Sequence, residues 1–202
     1  MPDYDYKQTF PNSCGAASLM CAMLELGTVT IPAVPAYPLW AFAIPLATNL
    51  TCEVAIYSVT CGGGGLPPLA TSGYSLPSYV YDCAHACGRG AIGYVPGTIV
   101  GALLRSVYSA DVTRAGTQGM VINAAVAPAP GVGQRLLRVM RVGEDSWYKP
   151  AVGLHYIMQR PDGTVMDPAY GMTLQSLAHL ERFQKEKQSV AYIDTGIGII
   201  IT

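Results

Sequence analysis

The stretch QTFPNSCGAASLMCAMLEL, residues 8–26, carries most of the decision about fold and chemistry. From Cys14 onward it reads as a helix, because Ala17, Met20, Cys21 and Leu24 recur at the 3.6-residue period. Asn12 or Ser13 suits the N-cap, and Gly27 suits the left-handed residue that ends the helix. A cysteine at the first helical position meets unpaired N–H groups and about half a positive charge. Both favour the thiolate, which is the nucleophilic form of sulfur. Free cysteine is more often a small buried hydrophobe, so position alone does not make Cys14 catalytic. Gln8 adds a second observation. It lies six residues upstream in an extended segment broken by Pro11. Its side-chain amide is a donor suited to an oxyanion forming beside the sulfur, with the Cys14 backbone N–H as the second donor.

Outward from this stretch, the whole chain of 202 residues is half hydrophobic and only 12% charged. That composition excludes intrinsic disorder, and a net charge of −1 gives no general attraction to nucleic acid. Arg105, Arg114, Arg135, Arg138, Arg141 and Lys149 gather in the second half without a nucleic-acid motif and read as a solvated face or a docking patch. No repeat or linker divides the chain, so residues 1–202 are expected to form a single domain. Residues 26–52 carry no charge and are long enough to span a membrane, but Pro32, Pro35, Pro38 and Pro45 break them up. They are expected to be buried or wall-forming irregular chain. Residues 26–88 together form a weakly charged middle that would line an apolar groove. Within it, residues 61–75 read as loop, and farther on 97–109 read as a helix with Val100, Leu103, Leu104 and Val107 on one face. The first ten residues, with Asp3, Asp5 and Lys7, do not form a secretory signal. A cytosolic start is therefore expected, with the six cysteines mostly free thiols and any export by a non-Sec route.

The last third changes character. Residues 135–142, 152–159, 163–167 and 191–202 are β-branched or alternating and favour strands, while 173–187 reads as a helix with its charges at the end. Helices first and antiparallel strands later predict an α+β fold. His155 falls inside the second of these strands, where an apolar residue would be usual. His179 lies in the charged helix, and His85 stands between Cys83 and Cys87. The turn signal RPDG follows the His155 strand, and the next strand ends at Asp167. A two-residue turn at Pro161 and Asp162 sets Asp167 across from Tyr156. A bulge at Gly163 is expected to move it across from His155. A carboxylate on Nδ1–H would fix the imidazole tautomer and stabilise the imidazolium.

With these residues in view, QTFPNSCGAASL resembles the first motif of papain-like cysteine peptidases. HYIMQRPDGTVMDPAYG resembles the second motif of the bacteriocin-processing, double-glycine leader peptidases, in which a His-Tyr strand leads through a turn to Asp-Pro and a Gly. Ser13 stands where that family often carries an acidic residue. The resemblance implies a papain-like fold, with the N-terminal helical part carrying the Cys and a C-terminal antiparallel sheet carrying the His and Asp. It implies Cys14 as nucleophile, His155 as base, Asp167 as orienter and Gln8 in the oxyanion hole, with no metal and no cofactor. The implied substrate is a protein with a Gly-Gly segment before the scissile bond. As a free-standing bacterial peptidase the chain is similar to secreted antibacterial or host-directed toxin effectors, which are held in check by an immunity partner.

Other readings use the same residues differently. Glutamine deamidases, phytochelatin-synthase-like transpeptidases and cell-wall amidases share the triad, and the chain's own Gly62–Gly65 run offers a self-cleavage site. Cys83, His85 and Cys87, with Cys52 or Cys61, offer zinc ligands, though C-x-H-x-C is not a usual structural-zinc spacing.

Overall fold

A computed structural model describes residues 3–33, 40–62, 73–98, 102, 108–144, 153–188 and 190–202. The architecture is mixed α and β. Helix α1 (Cys14–Glu25) is followed by a two-strand pair, β1 (Thr30–Ile31) and β2 (Ile44–Pro45). Next come α2 (Leu50–Thr60), α3 (Pro77–Ala86), β3 (Ala91–Tyr94), α4 (Ser109–Thr117) and β4 (Val121–Asn123). The last third holds β5 (Arg135–Gly143), β6 (Gly153–Gln159), β7 (Val165–Asp167), β8 (Met172–Leu174), α5 (Leu177–Gln188) and β9 (Ala191–Ile201). Seven strands form one sheet in the order β4-β3-β9-β5-β6-β7-β8.

The expected helix at residue 14 is present, but it is not an amphipathic surface helix. Every residue from Cys14 to Met23 is buried, and so is Glu25. The cause is position: α1 packs with α2 and α3 and lies along the face of β6 and β5 in one apolar cluster. Leu19, Met20 and Met23 are fully enclosed, each stabilising the fold by roughly 1.5–3 kcal/mol. Gly15 is needed for this fit, since a Cβ there would come within 2.4 Å of the Ser75 side chain and 3.1 Å of Tyr156. Ser13 is the cap position, yet its hydroxyl makes no capping bond. It donates instead to the Glu53 carboxylate at 2.6 Å.

The strands of the last third fall where the alternation placed them, with one exception: Met172–Leu174 pair with β7, so the helix expected over 173–187 begins only at Leu177. The sheet is also not purely antiparallel or C-terminal. β3 and β4, from the first two thirds, pair in parallel and join β9. The described part of residues 26–49 is largely irregular and partly buried, as its prolines suggested, with only β1 and β2 in it. Trp40 is buried with its indole N–H on the Ala55 carbonyl, and α2 starts at an Asn49 cap that accepts from Cys52 N. Val100, Leu103, Leu104 and Val107 lie outside the described residues. Among the described residues, no helix is long and apolar enough to cross a membrane.

The N-terminal segment, residues 3–13, is held by two buried glutamates. Glu53 accepts from Tyr6 Oη (2.8 Å), Thr9 N (2.8 Å) and Ser13 Oγ (2.6 Å). Glu25 accepts from Tyr4 N and pairs with Arg135 (2.5 Å) and Arg160 (2.7 Å). Arg160 reaches on to the Tyr4 carbonyl and to Thr173 Oγ1. The end of α1, the start of β5, the end of β6 and the N-terminal segment therefore share one desolvated charge cluster. Because Glu25 and Arg160 are almost fully buried, Arg160→Met should cost about 3 kcal/mol in urea unfolding. Glu25→Gln should cost at least as much, because Arg135 and Arg160 then both lose their buried carboxylate.

Candidate active site

Strand β6 has an open edge. β7 pairs with it only at Met158 and Gln159, which leaves the backbone before them without a strand partner on that side. Tyr156, across from Val139 of β5, turns its N–H and C=O toward α1 instead. Its N–H donates to Cys14 Sγ at 3.4 Å, and its carbonyl accepts from Ser18 Oγ at 3.5 Å. Cys14 and Ser18 are one helical turn apart, so a single face of α1 takes the place of a strand. The sulfur sits at the first residue of α1, where the helix field is positive.

His155, next to Tyr156 on β6, is hydrogen-bonded to Asp167 and lies close enough to Cys14 for a charge on the sulfur to raise its pKa. Its Nε2 lies 2.7 Å from Asp167 Oδ1. The nitrogen facing the carboxylate is therefore Nε2, not the Nδ1 expected from sequence, and Nδ1 is left for the sulfur side. The strand register differs from expectation as well. Gly163 does form the bulge, with φ +88°, and Arg160 N bonds to the Thr164 carbonyl. Met158 then pairs with Met166, so Asp167 continues across from Ile157 rather than His155. The extra loop residue shifts the pairing in the opposite direction from that expected. Because His155 and Ile157 are two residues apart they share a face, and the carboxylate reaches back along it.

Both groups are enclosed: Asp167 is 0% exposed and His155 7%. Burial pulls the His155 pKa down, but the Cys14 charge and the hydrogen bond to Asp167 outweigh it and push it up to about 10. The Tyr192 ring of β9 covers the imidazole at 5.3 Å, tilted by 55°. Asp167 has two further donors, Ala169 N on Oδ1 (2.9 Å) and Gln184 Nε2 on Oδ2 (2.8 Å). The sequence offered no signal for Gln184, Tyr192 or Ser18, whose roles depend on elements far from Cys14 in the chain.

Gln8 lies on the same side of the molecule, its N–H donating to the Pro168 carbonyl just past Asp167. Its side-chain amide is not turned to the sulfur. Nε2 donates to the carbonyls of Phe10 (2.8 Å) and Pro11 (3.1 Å), and Oε1 is buried without a hydrogen-bond partner. Gly171 has a physical reason to be glycine: its φ is +64°, and a Cβ would come within 2.5 Å of Lys7 N.

An apolar cavity of about 70 Å³ opens beside Tyr156, lined by Tyr74, Ser75, Leu76, Val139 and Leu154 among others. Part of its wall thus comes from the weakly charged middle, as expected. All six cysteines are free. Cys83 is buried in α3, whereas His85 of the same helix is exposed and stacks on Tyr81. Among the described residues no three His, Cys, Asp or Glu side chains stand together as a metal site. Of the glycine run, Gly62 ends α2 with φ +114°, and 63–65 lie outside the described residues.

Comparison with known proteins gives the chemistry a family. The chain is 29% identical to the cysteine protease IpaJ of Shigella flexneri over 97% of its own length and 77% of that protein's. No solved structure matches. The family described as "Invasion plasmid antigen J, cysteine protease" matches residues 6–202, nearly the whole chain. The chain therefore belongs to the invasion plasmid antigen J family and is a cysteine protease.

Proposed function

We propose that the protease acts through a Cys14–His155–Asp167 triad in a papain-like arrangement, with residues 1–202 as one peptidase domain. The observation that carries this is the meeting of the three residues in one buried site: Tyr156 N–H, next to His155, donates to Cys14 Sγ, and His155 Nε2 lies 2.7 Å from Asp167 Oδ1. The family membership supports the reaction class.

In this mechanism the Cys14 thiolate attacks the substrate carbonyl, the C=O electron pair moves to oxygen, and a tetrahedral intermediate forms. The His155 imidazolium gives its Nδ1 proton to the departing amine as the C–N bond breaks, leaving a thioester. The neutral imidazole then takes a proton from water, whose oxygen attacks the thioester and releases the acid and the thiol. Asp167 holds Nε2–H throughout and stabilises the imidazolium. Gln8 supplies an oxyanion donor when its amide turns from the Phe10 carbonyl toward the sulfur. Its unpartnered Oε1 supports this role, because only one end of the amide is held at rest.

The substrate in this reading is a protein cut after a Gly-Gly pair, a specificity that rests on the motif shared with double-glycine leader peptidases. The chain acts as a bacterial effector in a target cell and is restrained in the producer by an immunity protein. Support for the effector role comes from the name of the relative, an invasion plasmid antigen.

Two measurements test this. Expression of wild type and Cys14→Ala in a susceptible cell, followed by mass spectrometry of new protein N-termini, should give termini unique to the wild type and preceded by Gly-Gly. Identical profiles would exclude proteolysis by Cys14, and a one-dalton gain on glutamine would indicate deamidation instead. The second measurement is a ¹³C NMR titration of His155. A raised pKa favours the protonated ring, so the imidazolium should persist until about pH 10, far above the usual 6.5. Removing the Cys14 charge in Cys14→Ala should lower that value by more than one unit. An unchanged titration would separate the imidazole from the sulfur.

A further inference from the structure

We propose that Gln184 of α5 is a positioning residue for the reaction, acting through Asp167. The inference rests on the triad proposed above and extends it by one link. Asp167 approaches the imidazole through Oδ1 alone, and its second oxygen, Oδ2, accepts from Gln184 Nε2 at 2.8 Å. Both residues are buried, Asp167 at 0% and Gln184 at 1% exposure, so water does not substitute for either partner.

The orientation of the amide is itself determined. Gln184 Oε1 faces the Tyr170 hydroxyl at 3.2 Å. A carboxylate oxygen can only accept, so the amide end at Asp167 must be the N–H₂, and the hydroxyl donates to the oxygen left at the other end. Tyr170 is fixed in turn by an edge-on contact with Phe183, ring centroids 5.3 Å apart at 89°. It stands three residues after Asp167, where its N–H bonds to the Asp167 carbonyl. The Tyr170 hydroxyl, the Gln184 amide and the carboxylate thus form a directed series ending on His155. With Ala169 N on Oδ1, the carboxylate has donors on both oxygens and one rotamer in which all are satisfied. That rotamer aims Oδ1 at Nε2 and leaves Nδ1 for the sulfur. A carboxylate free to rotate would lose this aim, and misplacement by about 1 Å can cost on the order of a hundredfold in rate.

The titratable groups facing this point are His155 of β6, Tyr170, Tyr192 of β9 and Cys14 of α1. Substitutions at Gln184 therefore have a distinctive pH signature. Gln184→Met keeps the length and removes the donor. Gln184→Glu restores a donor only while the new carboxyl is protonated. Beside Asp167 its pKa is raised, because two adjacent carboxylates do not ionise independently.

The test follows the rate of Cys14 alkylation by iodoacetamide across pH, by peptide mass spectrometry on the full chain, together with the ¹³C titration of His155. Neither readout needs a known substrate. Gln184→Met should slow alkylation about tenfold and move the His155 titration, with little change in melting temperature. Gln184→Glu should approach the wild-type rate at low pH and fall away through a step that the wild type lacks. Tyr170→Phe should give a smaller loss in the same direction. A Gln184→Glu profile that parallels wild type at every pH would overturn the role even if Gln184→Met fails to fold. If wild-type alkylation shows no dependence on His155, the triad itself fails. If it does and the Gln184 variants match wild type, only the positioning role fails.

Discussion

The site depends on one docking contact, the lie of α1 along the open edge of β6. A strand edge within a buried region must find partners for its N–H and C=O groups. Here Cys14 and Ser18 supply them for Tyr156, the residue next to His155. At the other end of the same helix Glu25 pairs with Arg160, just beyond the end of β6. Helix and strand are thus tied at both ends over similar lengths, which fixes the helix along its axis as well as across it. The meeting of sulfur and imidazole follows from backbone satisfaction and a buried charge pair, without requiring a strong interaction between the two reactive groups themselves.

The two buried glutamates divide the remaining work. Glu25 joins α1 to the sheet, and Glu53 holds the segment that leads into Cys14, taking Tyr6, Thr9 and Ser13 on its two oxygens. Ser13 stands just before Cys14, and α2 supplies a carboxylate to that spot by way of the Ser13 hydroxyl. A buried acid therefore stands beside the start of α1.

Much of the site was legible because its residues sit in locally readable elements. Cys14 follows an extended segment and opens a helix, and His155 interrupts an otherwise apolar strand. Asp167 lies one turn away from that strand, so their proximity followed from a short range. The register was misjudged because the direction in which a bulge shifts a pairing depends on which strand holds the extra residue. The nitrogen facing Asp167 was misassigned because ring orientation is set in three dimensions. Gln184 and Tyr192 were invisible: each is an ordinary residue for its element, and each acquires meaning only when α5 and β9 pack over the His155 face. Helices α2 and α3 were missed for a related reason. Prolines mark where helices stop, but α2 begins beyond Pro45 and α3 begins on Pro77, where a proline suits the first turn, and both pack on α1.

The sheet order has a consequence for how the enzyme comes into being. β9, the latest of the described elements, lies inside the sheet, between β3 and β5. Until it arrives, β3 with β4 and the group β5 to β8 have no sheet connection to each other. It also carries Tyr192, the ring over the imidazole. During vectorial synthesis Cys14 and His155 are therefore made before the strand that covers the imidazole. The His155 face stays open to solvent until β9 docks between the two parts of the sheet.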